Sequence, residues 1–396
     1  MQKKDVVDVE VGGKRILLRV DFNVPLDMST GAIKDDSRIR ASLPTIKYLL
    51  DHRAKVILCS HLGRPGGRVD EGLRMKPVAQ HLSQLINLTV DVAPDCVGSE
   101  VEERTRELRE GSILLLENLR FHPEEEANKA WFARDLARLA DIYVNDAFGT
   151  AHRAHASTVG VAKHLPAVAG FLMEKELVVM SELLGAPRRP FACVIGGAKV
   201  SDKMGLIQNM LRRVDILLIG GGMAATLLKA QGYEVGRSLV EDDRLDLARE
   251  LLTDAREQKV AMLLPVDVLV AREIKAEAES EIVPIANIHP SSQIVDVGPE
   301  TTELFSRQLV KCQMVMWNGP MGIYEIPRFS EGTRSLVRLL STLTAITVVG
   351  GGSSADIVRE MGLGEKMTHV STGGGATLEF LEGATLPGVE ALLDKM

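Results

Sequence analysis

The sequence predicts an α/β protein of two domains, each a parallel sheet covered by helices on both faces. Three observations carry this. At 396 residues the chain exceeds what one hydrophobic core ordinarily supports. Short, near-continuous apolar runs alternate with helical patterns, as expected of strands buried on both faces. The loops that follow those runs change chemistry halfway along, from basic and polar to glycine-rich.

In the first half, four apolar runs each lead into a polar loop. Arg15 to Val20 leads into Asp21, Phe22 and Asn23. Lys55 to Cys59 leads into His61, Leu62, Gly63 and Arg64. Ser112 to Leu116 leads into Asn118 and Arg120, and Asp141 to Val144 into Asp146, His152 and Arg153. Helical patterns fill the intervals, over Arg38 to His52 and Glu126 to Ala140. In such sheets ligands bind beyond the carboxyl ends of the strands. A single arginine there reads as a surface salt-bridge partner. Arg64, Arg120 and Arg153 at equivalent strand ends read as a site, because the planar guanidinium fork matches a carboxylate or phosphate. Asp21 and Asn23 suit hydroxyl groups, so the expected guest is a small hydroxylated acid or phosphate ester. Arg38 by itself is an exposed first-turn side chain. Thr158 to Glu176 is expected as the passage between domains.

The centre of the chain, Phe191 to Lys203, reads FACVIGGAKVSDK. An apolar run that closes on two glycines and opens a helical pattern predicts a strand feeding a helix N-terminus, whose free N–H groups attract anions. Lys199 and Lys203, four apart, would then share one helix face. Taken alone, the stretch reads equally as a βα turn with two solvated lysines. Further strands are expected at Asp215 to Ile219, Val260 to Leu264, Met314 to Trp317 and Ala345 to Val349. Two of them also end in glycine clusters, Gly220 to Gly222 and Gly350 to Gly352. Glycine lets a ligand approach the backbone closely, so this half reads as built for a polyphosphate.

Composition bounds the alternatives. A net charge of −7 argues against general nucleic-acid binding. No apolar run reaches membrane-spanning length and the N-terminus has no signal-type apolar region, so no membrane partner is expected. Cys59, Cys96, Cys193 and Cys312 show no paired spacing, which signals neither a zinc site nor a disulfide framework and suggests a reducing cytoplasm. Neither a Walker-type phosphate loop nor the protein-kinase motif set occurs.

The motifs together resemble those of the phosphoglycerate kinase family, essentially from end to end. They are RVDFNVP (Arg19 to Pro25), DDSRIRASLPTI (Asp35 to Ile46), SHLGRP (Ser60 to Pro65), ENLRF (Glu117 to Phe121) and NDAFGTAHRAHAS (Asn145 to Ser157). GGAKVSDK (Gly196 to Lys203), GGGMA (Gly220 to Ala224), WNGPMGIYE (Trp317 to Glu325) and STGGGATLE (Ser371 to Glu379) follow in the family's order. The resemblance implies two Rossmann-like domains facing across a cleft; because the two ligands would then sit on different domains, closure of the domains is expected. Residues 1–172, with a returning tail of about 379–396, would hold 3-phosphoglycerate or 1,3-bisphosphoglycerate. Residues 173–378 would hold ATP or ADP with its Mg2+. The acid would meet Asp21, Phe22, Asn23, Arg38, His61, Leu62, Gly63, Arg64, Arg120, His152 and Arg153. The nucleotide would meet Gly197, Ala198, Lys203, Gly221, Asn318, Glu325, Gly351, Gly352, Ser353 and Ser354. Arg38, Lys199 and Lys203 carry the catalytic assignment, and a monomer is expected.

One departure stands out. The family's glycine-glycine-glycine-aspartate loop reads Gly350-Gly351-Gly352-Ser353 here. Serine replaces a carboxylate associated with the nucleotide's Mg2+, so a weaker or water-mediated metal contact is expected, with no residue assigned as a direct ligand. Two rival readings remain. Gly220-x-Gly222-x-x-Ala225 fits a dinucleotide fingerprint, but the acidic residue expected at the next strand's end is missing, with Glu241 in a helix-like stretch and Asp267 too late. An anion-binding scaffold without turnover is the other.

Overall fold

The computed structural model describes residues 2–27 and 29–395. The chain forms two compact units, Met1–Val178 with Thr385–Met396, and Val179–Ala384. It passes from one to the other within the helix Phe171–Gly185.

The first unit holds a six-stranded sheet in the order β3-β4-β2-β1-β5-β6, every pair parallel. Its strands are β1 (Arg15–Arg19), β2 (Lys55–Cys59), β3 (Asp91–Val92), β4 (Ile113–Leu115), β5 (Ile142–Asn145) and β6 (Ala167–Ala169). The β1 and β2 runs are buried on both faces, which is why they lack polar alternation. Helix Ser37–Asp51 buries Ile39, Ser42, Thr45, Ile46 and Leu49, a stripe at three- and four-residue spacing. After β4 the chain crosses beyond β1 to build β5, so the sheet's winding reverses between β1 and β5.

Two expectations for this unit need correcting. The helix expected over Glu126 to Ala140 is broken into Pro123–Glu126 and Ala130–Arg138, because Asn128 turns the chain through φ 49°. The stretch from Thr158 to Glu176 is no plain passage: it supplies β6, which pairs with β5. The C-terminal tail folds back onto this unit. Leu393 N–H donates to Ala167 O at 2.9 Å and Gly388 N–H to Ala151 O at 2.8 Å. Leu386, Val389 and Leu392 are buried there, and Lys395 bridges Asp5 and Asp8 at 2.8 and 3.0 Å.

The second unit repeats the architecture with a parallel sheet ordered β15-β14-β13-β7-β8-β9. These strands are β7 (Phe191–Ile195), β8 (Ile216–Ile219), β9 (Ala261–Leu263), β13 (Met314–Asn318), β14 (Ile346–Gly350) and β15 (His369–Val370). An antiparallel sheet β11-β10-β12 lies between β9 and β13 in the chain: β10 (Asp267–Ala271), β11 (Ser280–Pro284) and β12 (Gln293–Val297). The core gathers Trp317, Phe305, Leu336, Val337 and Val349. Strands run one way from β7 to β9 and then restart on its other side at β13, so this sheet reverses between β7 and β13.

The helix expected after Gly196 and Gly197 starts later. A 3-10 turn, Ser201–Lys203, precedes the helix Met204–Leu211. Lys199 therefore lies in a loop, and the two lysines do not share a helix face. The delay has a local cause. Val200 is buried, and Glu241 accepts hydrogen bonds from Ser201 N–H at 3.0 Å and Ser201 Oγ at 2.5 Å. The other two glycine clusters do meet helix N-termini, at Met223–Ala230 and Gly352–Glu360.

Candidate active site

Beyond the carboxyl ends of β1, β2, β4 and β5, the first unit collects cations around one carboxylate. Arg38 Nη1 donates to Asp21 Oδ2 at 2.8 Å. The other Asp21 oxygen lies 4.0 Å from His61 Nδ1. Asn23 Oδ1 accepts from Gly63 N–H at 2.8 Å, and Arg120 Nη1 donates to Gly63 O at 3.0 Å. Gly63 needs to be glycine: its φ is 65°, and a Cβ would sit 2.7 Å from Leu73. Phe22 and Leu62 are buried beneath the loops, with Phe22 N–H donating to Ser60 Oγ at 2.9 Å. Arg153 Nε donates to His152 Nε2 at 3.1 Å. Arg64 is exposed on the loop after β2.

The electrostatics agree with this gathering. Burial first, then the positive charges of Arg19, Arg120, Arg38 and Arg153, push the His61 imidazole well below its ordinary value. Burial likewise lowers Arg120, with Glu126 opposing it; their Nε–Oε1 distance is 3.1 Å. Four arginines thus act on one imidazole, while Asp21 and Glu126 are the carboxylates bonded to them at this end. Such a place is short of negative charge.

In the second unit, the loops after β7, β8 and β13 interlock through backbone. Gly197 N–H donates to Pro320 O at 3.1 Å, Gly221 N–H to Met321 O at 2.9 Å, and Met223 N–H to Gly197 O at 3.0 Å. Gly221, at φ 69°, allows this approach; a Cβ there would meet Gly197 N at 2.5 Å. At the reversal between β7 and β13, Lys203 Nζ donates to Asn318 Oδ1 at 2.6 Å. Burial lowers the Lys203 ammonium from its ordinary value. Asn318 is 1% exposed, and its Nδ2 is buried without a partner among the described residues, facing the backbone of Gly350 and Gly351. An orphaned buried donor costs about 1–3 kcal/mol, and this one stands beside the half-buried Lys203 ammonium.

Next to these loops is a cavity of about 400 Å³, lined by Gly197, Ala198, Gly221, Leu239, Tyr324, Glu325 and Ser353 among others. Its apolar walls and a few polar groups have the make-up of a small-molecule pocket. Gly351 caps the Gly352–Glu360 helix at φ 90°, and Ser353 lies in that helix's first turn. Ser354 is committed elsewhere: its Oγ accepts Gly319 N–H at 2.8 Å. Lys199 is exposed beside Glu241.

Two carboxylates line the cavity, Asp296 and Glu325. Asp296 is spent on structure, accepting Val297 N–H at 2.9 Å and Gly332 N–H at 2.8 Å. The acids of the dinucleotide reading are also engaged. Asp267 accepts from Thr301 N–H at 2.7 Å and Glu300 N–H at 3.1 Å, and Glu241 holds Ser201. Among the described residues one trio of metal-type ligands gathers, Asp95, Cys96 and His122. Its atoms are already partnered: Asp95 Oδ1 bonds His122 Nε2 at 2.6 Å, and Cys96 Sγ donates to Glu117 O at 3.0 Å.

Sequence reasoning missed the residues that support the first site from behind. Arg19 is 1% exposed and bonds Ser157 Oγ, Val20 O and His61 Nδ1. Ser157 in turn bonds the buried Glu125. The available signal was a charged residue closing an otherwise apolar strand.

Comparison with known proteins extends over the same ground. A family model described as phosphoglycerate kinase matches residues 6–384. The phosphoglycerate kinase of Pelotomaculum thermopropionicum is 56% identical over 395 residues, covering 100% of both chains. That of Dictyoglomus turgidum is 54% identical, again covering 100% of both. Among solved structures, phosphoglycerate kinase from Coxiella burnetii superposes with a TM-score of 0.89 at 39% identity, over 98% of each chain. The Pyrococcus horikoshii enzyme gives 0.83 at 33% identity, also over 98% of each. With a model spanning nearly the whole chain and relatives more than half identical from end to end, the chain belongs to the phosphoglycerate kinase family.

Proposed function

We propose that this chain transfers a phosphoryl group reversibly between ATP and the carboxylate of 3-phosphoglycerate, giving ADP and 1,3-bisphosphoglycerate. The observation that carries the reading is the different chemistry at the two sheet reversals: clustered guanidinium groups and imidazole in one unit, a half-buried ammonium bonded to a buried amide among glycines in the other. The first suits a small multiply charged acid, the second a nucleotide's phosphates.

Arg38, His61, Arg64, Arg120, His152 and Arg153 bind the acid's phosphate and carboxylate, with Asp21 and Asn23 at its hydroxyl. Backbone of the loops at Phe22, Leu62 and Gly63 shapes the floor. The nucleotide lies along Gly197, Ala198 and Gly221, with Glu325 on the ribose, and Gly351, Gly352, Ser353 and Ser354 giving first-turn backbone N–H groups to its phosphates. Lys203 and Asn318 hold the phosphate end, while Lys199 and Arg38 neutralise the phosphoryl group in transit. Both attacking oxygens, on carboxylate and on phosphate, are already ionised at neutral pH. The transfer therefore asks for positioning and positive charge rather than a base. The low basicity of His61 is consistent with a contact role.

Magnesium travels with the nucleotide. The cavity fits it only in part, because Asp296 is committed to backbone and Ser353 offers a neutral oxygen. The phosphates and water supply most of the coordination that Mg2+ prefers, and bound Mg2+ would offset phosphate charge. Because the two ligands are assigned to different units, the reacting atoms must be brought within about 3–3.5 Å. Small-angle scattering is expected to show contraction with both ligands and none with either alone. Four free, buried cysteines suit a reducing cytoplasm. A coupled assay should show ATP consumption that depends on 3-phosphoglycerate. Binding of both ligands without turnover would favour the scaffold reading, and a thermal shift with NAD but not ATP the dehydrogenase reading.

A further inference from the structure

Arg19 fills the space behind His61 and is almost wholly buried. Its Nε donates to Ser157 Oγ at 2.9 Å, its Nη1 to Val20 O, and its Nη2 reaches His61 Nδ1 at 3.3 Å. Ser157 passes the guanidinium's charge balance to Glu125, whose two oxygens accept Ser157 Oγ at 2.6 Å and Ser157 N–H at 2.9 Å. Tyr143 Oη donates to Ser157 O at 2.8 Å and pins the same segment. A guanidinium has five N–H donors, no acceptor, and no accessible deprotonated form. Wherever it meets an imidazole nitrogen, that nitrogen must be the lone-pair one. The Arg19 contact therefore fixes what hydrogen placement alone would leave open.

We propose that Arg19 is a positioning residue for His61: by occupying the Nδ1 lone pair it keeps the ring neutral and leaves Nε2–H as a hydrogen-bond donor to the acid substrate. This rests on the assignment of His61 to the acid site. The charged groups around the ring act in the same direction. Arg38, Arg120 and Arg153 face it along with Arg19 and oppose a second proton; against them stand Asp21, whose Oδ1 lies 4.0 Å away and whose other oxygen is tied to Arg38, and, behind Arg19, Glu125, which is engaged by Ser157. A neutral donor at this place can hold a phosphate or carboxylate oxygen at every pH at which those groups are ionised, without the gain and loss of charge an ordinary histidine undergoes near pH 6.5.

The test is nitrogen-detected NMR of the full-length, ¹⁵N-histidine-labelled chain, with the His61 signals assigned by their loss in His61→Gln. The expected wild-type spectrum shows a bare Nδ1 and a protonated Nε2, unchanged between pH 8 and pH 5.5. A proton on Nδ1, or titration of the ring within that window, overturns the proposal whatever the variants do. Arg19→Met alone would strand the Glu125 charge, so it is paired with Glu125→Gln. In the double variant His61 is expected to populate both tautomers or to titrate in the window, and 3-phosphoglycerate affinity, measured calorimetrically at pH 8, to fall at least fivefold. An unchanged spectrum in a folded double variant overturns the proposal. Wild-type affinity in His61→Gln removes His61 from the acid site, a failure the spectrum does not share and so tells apart.

Discussion

Ser353 stands on the wall of the cavity proposed for the nucleotide, in the first turn of the Gly352–Glu360 helix, where the resemblance leads one to expect aspartate. A neutral hydroxyl gives Mg2+ less than a carboxylate does. Ser353→Asp is expected to tighten Mg-ADP binding severalfold while leaving metal-free ADP unchanged or weaker, read by calorimetry with and without metal. Equal metal dependence in both proteins would show that position 353 does not sense the ion. Lys199 is exposed, so its removal costs little stability. Lys199→Ala is expected to lower turnover by about 10²–10³, the scale for removing one positioned transition-state donor, and to spare 3-phosphoglycerate binding. A drop of less than tenfold would remove it from the chemistry. Arg64→Ala should act on acid affinity instead. These residues were legible in the sequence because loop chemistry is local. Arg19, Glu125 and Ser157 were not, since a charge inside a buried strand shows its purpose only when its partners, 138 residues away in the case of Ser157, are folded against it.

At the scale of elements, Asp146 joins the end of β5 to the helix Phe171–Gly185. Its Oδ1 accepts Leu172 N–H at 2.9 Å and Met173 N–H at 3.3 Å, capping the helix within which the chain leaves the first unit. Burial lifts the carboxyl to about 7, outweighing the Thr45 hydroxyl and these two N–H groups, which favour the charged form. The folded form thus holds this proton more tightly than the unfolded chain does, whose value is 3.8. Its stabilising effect is full below about pH 4 and lost as pH rises through about 7. Asp146→Asn keeps an accepting oxygen and avoids the charge, so it is expected to gain stability relative to wild type progressively between pH 4 and pH 8. That gain should amount to several degrees of melting temperature at pH 8. A constant offset across that range would contradict the burial argument. The strands around this element were legible as apolar runs. The ends of helices were not, because they depend on single turns such as Asn128 and on distant anchors such as Glu241. The antiparallel sheet β11-β10-β12 escaped notice for a similar reason: β11 is mostly exposed, with Ile282 at 57%, and so gives no buried-strand signal.

For the whole molecule, the returning tail makes the first unit discontinuous in sequence. Removing residues 386–396 exposes the surface covered by Leu386, Val389 and Leu392, and deletes the Lys395 bridges. Burial of one such side chain is worth roughly 1.5–3 kcal/mol, so the truncation is expected to lower the melting of the first unit by many degrees and to leave the second near its original transition. Calorimetry that shows both units shifted equally would contradict this. The two-unit plan and its α/β class were readable from length, run pattern and the change in loop chemistry. The tail's destination came from resemblance alone, because a short helical pattern carries no mark of the surface it will cover.

The central claim is that the first unit receives the acid and the second the nucleotide. Hydrogen–deuterium exchange with each ligand separately tests it most directly. With 3-phosphoglycerate alone, protection is expected in peptides containing Asp21, His61, Arg120 and Arg153. With Mg-ADP alone, it should appear at Gly197 to Lys203, Gly221, Asn318 and Ser353. Protection of one shared set of peptides by both ligands, or the reverse assignment, would contradict it.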